Sequence, residues 1–292
     1  RVHVAAVEHD AVFSPATASV GHRILAVDAN GRVPEYQHDG DEAVDEGDLV
    51  CVQAANSETG VEQNWYGPGF LAMDTGAKAL VDFAQVAGRI WGRAISDPPS
   101  AHFKLVSAHK FGGPVGTGAL ILDRGDPVPA PILGGGQEQG RRSGTENVIG
   151  IAGFGAAAEA AQRDLEEGAW DRVAIRRDRL EERLAGEAPD LIIFGKDSPR
   201  LPNTSCFAVP GWKGETQVMQ MDLAGFAVSA GSACSSGKVG KASRVLMAMG
   251  FDELTASSAI RVSMGPATTE AEVMAFADTW IDHYRRRRER AA

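Results

Sequence analysis

The chain has 292 residues, enough for a sizeable core and for two domains rather than one. Its 29 basic and 39 acidic side chains leave a net charge of −10, which argues against a nucleic-acid or anionic-membrane surface and for a small-molecule substrate or a protein partner. No stretch approaches ~18 apolar residues and no charged–apolar–small signal segment opens the chain. The three cysteines, Cys51, Cys206 and Cys234, share no metal-type spacing and cannot all pair, so a reducing cytoplasm is the expected setting and no metal site is expected. Arg1 is not a natural start, and the first residues already read as a strand in mid-domain, so the chain is expected to be N-terminally incomplete.

Residues 2–7 are mostly apolar, with three valines, and read as a buried parallel strand ending in Glu8-His9-Asp10. In open α/β sheets ligands lie outside the carboxyl ends of the strands, which is where His9 stands. Ser14 as N-cap with Pro15 in the first turn predicts a short helix to Val20. Further strands are expected at 22–28, at 48–54, which leads into Asn56, and at 79–81, which leads into Asp82 and Gln85. A helix is expected at 85–95; between Trp65 and Lys78 the Gly67-Pro68-Gly69 run should leave any helix short or broken. Alternating strands and helices imply a mostly parallel sheet. Singly, His9, Asn56, Asp82 and Gln85 could be loop caps or satisfied core polar groups. Their shared placement at successive strand ends describes a site.

The stretch 107–120 reads S-A-H-K-F-G-G-P-V-G-T-G-A-L. Apolar Leu105 and Val106 deliver Ser107, His109 and Lys110 to a glycine-rich turn that sends the chain back as a strand at 119–122. An ATP-type phosphate loop needs its lysine after the glycines, followed by Ser or Thr, and so fails here. A strand–turn–strand with an incidental lysine remains open. Schiff-base lysines sit in confined sites, because desolvation frees the amine as a nucleophile. Lys110 is therefore the candidate for bonding pyridoxal phosphate, with Ser107 and His109 as donors to an anion beside it. A buried Asp82 would find a partner in the pyridinium nitrogen of that cofactor.

After a Pro-rich connection at 126–131, residues 134–147 combine dense glycine with Arg142, Ser143 and Thr145, a setting for an oxyanion unless the segment is a plain flexible linker. A long helical stretch at 148–187, with Gly168 as a possible break, leads to a smaller α/β domain. Its strands are expected at 191–194, 204–208 and 226–229, and its helices at 215–223, 243–249 and 270–287. The arginines at 285–288 and Arg290 read as a solvated helix end. Cys234, embedded in S-A-G-S-A-C-S-S-G, has the setting of a reactive thiol, whereas Cys51 and Cys206 lie in apolar strands as core residues. Arg261, inside an apolar run, suggests either a substrate carboxylate or a structural ion pair.

Taken in order, E-H-D-A-V at 8–12, N-S-E-T-G-V-E-Q at 56–63, D-F-A-Q at 82–85, S-A-H-K at 107–110, G-G-G-Q-E-Q-G-R-R-S-G-T-E-N at 134–147, L-P-N-T at 201–204, S-A-G-S-A-C at 229–234 and S-S-A-I-R-V-S-M-G at 257–265 resemble the cysteine desulfurases, the NifS-like branch of the class V aminotransferase group. The resemblance implies a pyridoxal-phosphate-dependent transferase of fold type I. It would comprise a large cofactor-binding domain at 1–165, lacking its N-terminal part, and a small C-terminal domain at 166–292.

It also implies Lys110 as the cofactor's lysine and His9 stacked on its ring. Asp82 would sit on the ring nitrogen, with Gln85 on the phenolic oxygen near Asn56. Ser107 and His109 would hold the phosphate, joined by Thr145 from the second subunit of a homodimer. Arg261 with Asn56 would hold the carboxylate of L-cysteine, and Cys234 would take the sulfur as a persulfide on its way to an acceptor protein such as an iron–sulfur scaffold or a tRNA-thiolation relay. Leu80 stands where the family commonly has His, and Lys241-Ala242-Ser243 replaces a proline-containing turn. The alternatives are a selenocysteine lyase or another class V enzyme, or a catalytically silent scaffold subunit.

Overall fold

The computed structural model describes residues 1–34, 43–90, 101–122, 128–231 and 242–291. Six strands form the first sheet: β1 (Val2–Ala5), β2 (Arg23–Leu25), β3 (Leu49–Gln53), β4 (Lys78–Asp82), β5 (Phe103–Ser107) and β6 (Gly118–Leu122), in the order β2-β1-β3-β4-β5-β6. Neighbours run parallel except β6, which returns antiparallel to β5. Consecutive burial of Val50, Cys51 and Val52 means that both faces of β3 are covered, as a parallel strand requires. The register pairs Gln53 with Asp82 and Asp82 with Leu105, so the carboxyl ends of β3, β4 and β5 form one rim.

Between these strands, α1 (Asp10–Ala18) and α2 (Gly67–Thr75) differ from expectation at their starts. The cap of α1 is His9, whose Nδ1 accepts from Ala11 N at 3.2 Å, and Pro15 lies inside the helix. A single missing N–H is tolerated in so short a helix, and Ser14 is not the cap. Gly67 and Pro68 open α2 rather than break it, with proline at a first-turn position where its lost N–H would be unpaired anyway. The helix expected at 85–95 is a series of turns as far as residue 90. Gly88 there has φ +71°, and a Cβ on it would stand 2.7 Å from that of Ala161. The expected strand at 22–28 is limited to three residues.

The second sheet comprises β7 (Ile192–Ile193), β8 (Thr204–Ala208), β9 (Ser229–Ala230) and β10 (Ala259–Ser263), ordered β7-β8-β10-β9 with antiparallel pairings. The strand expected at 226–229 is thus shorter and shifted toward Ala230. The long helical stretch is two helices, α3 (Val148–Glu166) and α4 (Ala169–Glu187), separated at left-handed Gly168, φ +64°. The remaining helices are α5 (Gly214–Leu223), α6 (Arg244–Ala248), α7 (Glu253–Ser257) and α8 (Glu270–Ala291). Helix α7, which the sequence reading lacks, is capped by Asp252 accepting from Thr255 N at 2.8 Å.

Trp280, Tyr284, Phe207, Leu180 and Ile260 fill the core of the second sheet. Gln217 ties it together, accepting from Trp280 Nε1 at 3.0 Å and donating to the carbonyls of Trp212 and Ser258, each at 2.8 Å. A third apolar cluster joins the sheets: Ala5 and Val7 of the β1 end pack with Phe194, Cys206, Ala208, Leu246 and Met249. Among the described residues no helix is long and apolar enough to cross a membrane.

Candidate active site

At the carboxyl rim of the first sheet, Asp82 ends β4 half-buried, its Oδ1 accepting from Ala84 N at 2.8 Å. Burial raises its carboxyl above the ordinary range; the Ala84 N–H and the nearby charges of His9 and Lys110 oppose that shift. His9, which sequence reading placed at one rim with Asp82, and Lys110, its candidate for the cofactor, thus lie within electrostatic reach of Asp82. Lys110 lies half-buried in a single 3-10 turn, Ala108–Phe111, directly after β5, and left-handed Gly112 (φ +94°) ends that turn. Behind it a Cβ on Gly113 would stand 2.8 Å from that of Ala108, so the chain folds back in contact with itself.

Ser107 Oγ and His109 Nδ1 are 3.0 Å apart and so form one polar pair beside the lysine. Gln85 uses its Oε1 to accept from Arg89 at 2.9 Å, which makes its amide nitrogen the donor end. Arg89 is a support that sequence reading missed: it bonds the Gln85 carbonyl at 2.6 Å and the carbonyl of Lys110, and burial, with Arg261 adding, lowers its guanidinium to about 10. Its four-residue offset from Gln85 was the available signal.

Asn56 is buried and caps its own turn, donating to the Val7 carbonyl at 3.0 Å and accepting from Glu58 N and Thr59 N at 2.8 and 2.9 Å. Arg261 projects from β10 to the same turn, donating to the Ser57 carbonyl at 2.8 Å and to Ser229 Oγ at 3.2 Å. Asn56 and Arg261 are thus brought to one turn. Thr145 is exposed in the loop before α3, whose hydrogen bonds run within it: Arg142 donates to Gly144 O at 2.7 Å and Ser143 Oγ to Leu133 O at 3.0 Å. Cys234 lies outside the described residues, whereas Cys51 and Cys206 are buried as expected. Burial pushes the Cys51 thiol up to about 12 and the Cys206 thiol higher still.

Four further residues escaped sequence reading. Glu8 is buried beneath the rim; its Oε1 accepts from Gln53 N, and burial, with Asp82 adding, raises its carboxyl well above the ordinary range. Arg244 donates to the carbonyls of Ala6 and Glu8, the latter at 2.6 Å, pairs with Asp10 at 3.1 Å and lies over the Phe13 ring at 3.9 Å. Ser243 and Glu58 are joined by a buried hydrogen bond of 2.5 Å.

The profile of the aminotransferase class-V family matches residues 1–276. The chain belongs to that family. It is 41% identical over 225 residues to a cysteine desulfurase of Cereibacter sphaeroides, an alignment that covers 77% of this chain and 56% of that protein. To a cysteine desulfurase of Sinorhizobium fredii it is 37% identical over 283 residues, covering 94% and 70%. The NifS-like protein of Rickettsia africae superposes with a TM-score of 0.84 at 28% identity, covering 97% of this chain and 75% of that one. The chain spans about half the length of the first curated relatives it matches.

Family members use pyridoxal phosphate. The donor set fits that group: an amine at Lys110, a carboxylate at Asp82 that burial leaves in need of a cation, an imidazole at His9 and a hydroxyl–imidazole pair at Ser107 and His109.

Proposed function

We propose that this chain is part of a pyridoxal-phosphate-dependent cysteine desulfurase, which takes sulfur from L-cysteine, leaves L-alanine and passes the sulfur to Cys234 as a persulfide. The observation that carries the proposal is the arrangement of Asp82, His9 and Lys110 at the carboxyl ends of β4, β1 and β5, with His9 and Lys110 each within electrostatic reach of Asp82. The relatives named cysteine desulfurase supply the substrate. When bound, the cofactor supplies an electron sink for the substrate's α-carbon.

In this reading the protein's own groups divide the work. Lys110 anchors the cofactor and afterwards carries the α-proton on its amine. Asp82 stays ionised against a cation, His9 covers the ring face, and the Gln85 amide donates to the ring oxygen. Ser107 and His109 hold the phosphate, joined by Thr145 of a second copy. Arg261 and Asn56 orient the substrate carboxylate. Cys234, as thiolate, accepts sulfur at its Sγ. We further propose the division into a cofactor domain at 1–165 and a small domain at 166–292, a cytoplasmic setting, and delivery of the sulfur to an acceptor protein. Exposed Leu133, Val148 and Ile149, flanking the Thr145 loop, support the homodimer.

Borohydride reduction of the full-length protein after addition of pyridoxal phosphate, followed by peptide mass mapping, tests the reading. The expected tag is on Lys110, and Lys110→Ala should abolish both tag and cofactor absorbance. A tag elsewhere, or an unchanged absorbance in that variant, would overturn it.

A further inference from the structure

Glu58 has the features of a residue with a task. It is 6% exposed, sits two residues after Asn56, and bonds across 185 positions to Ser243, which is wholly buried and caps α6 by accepting from Leu246 N at 3.1 Å. Its backbone N–H donates to Asn56 Oδ1 at 2.8 Å, and the next carbonyl back, that of Ser57, receives Arg261 at 2.8 Å. The Glu58 backbone is thus tied to Asn56, and its carboxylate lies within electrostatic reach of Arg261, the two groups assigned to the substrate carboxylate. The groups that face it are Ser243 and Arg244 at the start of α6, Arg261 on β10, Asp10 in α1 and the Cys206 thiol on β8. Burial pushes the Glu58 carboxyl up to about 7; Ser243, Arg261 and Arg244 pull it down and Asp10 pushes it up.

We propose that Glu58 is a positioning residue for the substrate carboxylate: its bond to Ser243 holds the Asn56 turn against the start of α6, and its charge state sets how strongly Arg261 attracts a carboxylate. The inference rests on the reading of Asn56 and Arg261 given above. With Glu58 neutral, its side chain offsets none of the Arg261 charge felt by the incoming carboxylate. With Glu58 ionised, part of that field is cancelled. Glutamine at this position keeps an oxygen that accepts from Ser243 but never ionises.

The test compares the full-length holoprotein with Glu58→Gln, Ser243→Ala and Arg261→Lys, measuring kcat and KM for L-cysteine and the Kd of L-alanine from cofactor absorbance, at pH 6 and pH 8. The ratio of wild-type to Glu58→Gln KM cancels titration of the substrate itself. It should be near one at pH 6 and rise about three- to thirtyfold at pH 8, the span for one added charge a few ångströms away, with kcat little changed and the L-alanine Kd moving in parallel. Ser243→Ala, which breaks the same bond from the other side, should raise KM at both pH values. A ratio that stays flat, while Arg261→Lys raises KM at least tenfold, would overturn the role of Glu58 and leave the subsite reading standing. An unchanged KM in Arg261→Lys would overturn both.

Discussion

Replacing Arg200 with methionine should cost more stability than any exposed charge in the molecule. Arg200 holds Glu181 of α4 bidentately, both contacts at 2.7 Å, and Ser205 of β8 adds a third bond of 2.7 Å to the same carboxylate. The two side chains are 6% and 11% exposed. Removing the guanidinium leaves Glu181 buried with a single hydroxyl, a loss of about 3–5 kcal/mol for a broken buried pair. At about 2–4 °C per kcal/mol for a chain of this class, Tm should fall by roughly 6–20 °C. Urea unfolding and thermal scans measure this directly. Arg200→Met/Glu181→Met, which removes both charges, should recover most of the loss, because desolvation of the pair offsets much of its attraction. The damage should also reach the rim: Glu62 N bonds Pro199 O at 2.9 Å and Leu201 N bonds Gly60 O at 2.8 Å, so these amides should lose hydrogen-exchange protection before those of β3. A single variant that loses under 1 kcal/mol, or a double variant as unstable as the single, would refute the argument.

Asp82→Asn should weaken cofactor binding by roughly thirtyfold to a few thousandfold, the ~2–5 kcal/mol lost when one partner of a buried charge pair is removed, measured by absorbance titration. Because burial raises the Asp82 carboxyl, wild-type affinity should fall as pH drops through that raised value and be complete above it; the asparagine variant should lack this acid limb. Iodoacetamide at neutral pH should label Cys234 and spare Cys51 and Cys206, which are 3% and 0% exposed with thiols pushed to about 12 or beyond, and mass mapping reads the pattern. Gly88→Ala should destabilise by about 1–3 kcal/mol, since it combines a left-handed backbone with a 2.7 Å approach to Ala161, and urea midpoints give the value.

Much of the rim was legible because strand ends announce themselves locally. Asp82, Lys110 and His9 each follow an apolar run of strand length, and the sheet rule then places them on one edge. Capping was less legible. Ser14-Pro15 carries the stronger statistical signal, yet the His9 ring accepts from Ala11 N and α1 begins one turn earlier, since any side chain with a suitably placed acceptor can serve. The turns at 84–90 defeat helical periodicity for a reason that lies elsewhere in the chain: Gly88 yields to Ala161 of α3.

Glu58, Ser243 and Arg244 were illegible for a deeper reason. Sequence shows residue types, whereas their roles arise from pairings across 185 residues and more. The structure makes those pairings consistent with one another. Arg244 bonds the carbonyls at the end of β1, Ser243 bonds the turn after β3, and Arg261 bonds that same turn from β10. Beneath these polar ties, Ala5 and Val7 share one apolar cluster with Phe194, Cys206, Ala208 and Leu246, and burying such side chains is worth about 1.5–3 kcal/mol each for the larger ones. Sliding the second sheet along the rim would expose that cluster and strand the Glu58 carboxylate at once. The distance between Lys110, in the turn after β5 of the first sheet, and Arg261, on the second, is therefore set by packing and by ion placement together, and substitutions at the shared cluster should disturb substrate affinity without touching any residue that contacts substrate.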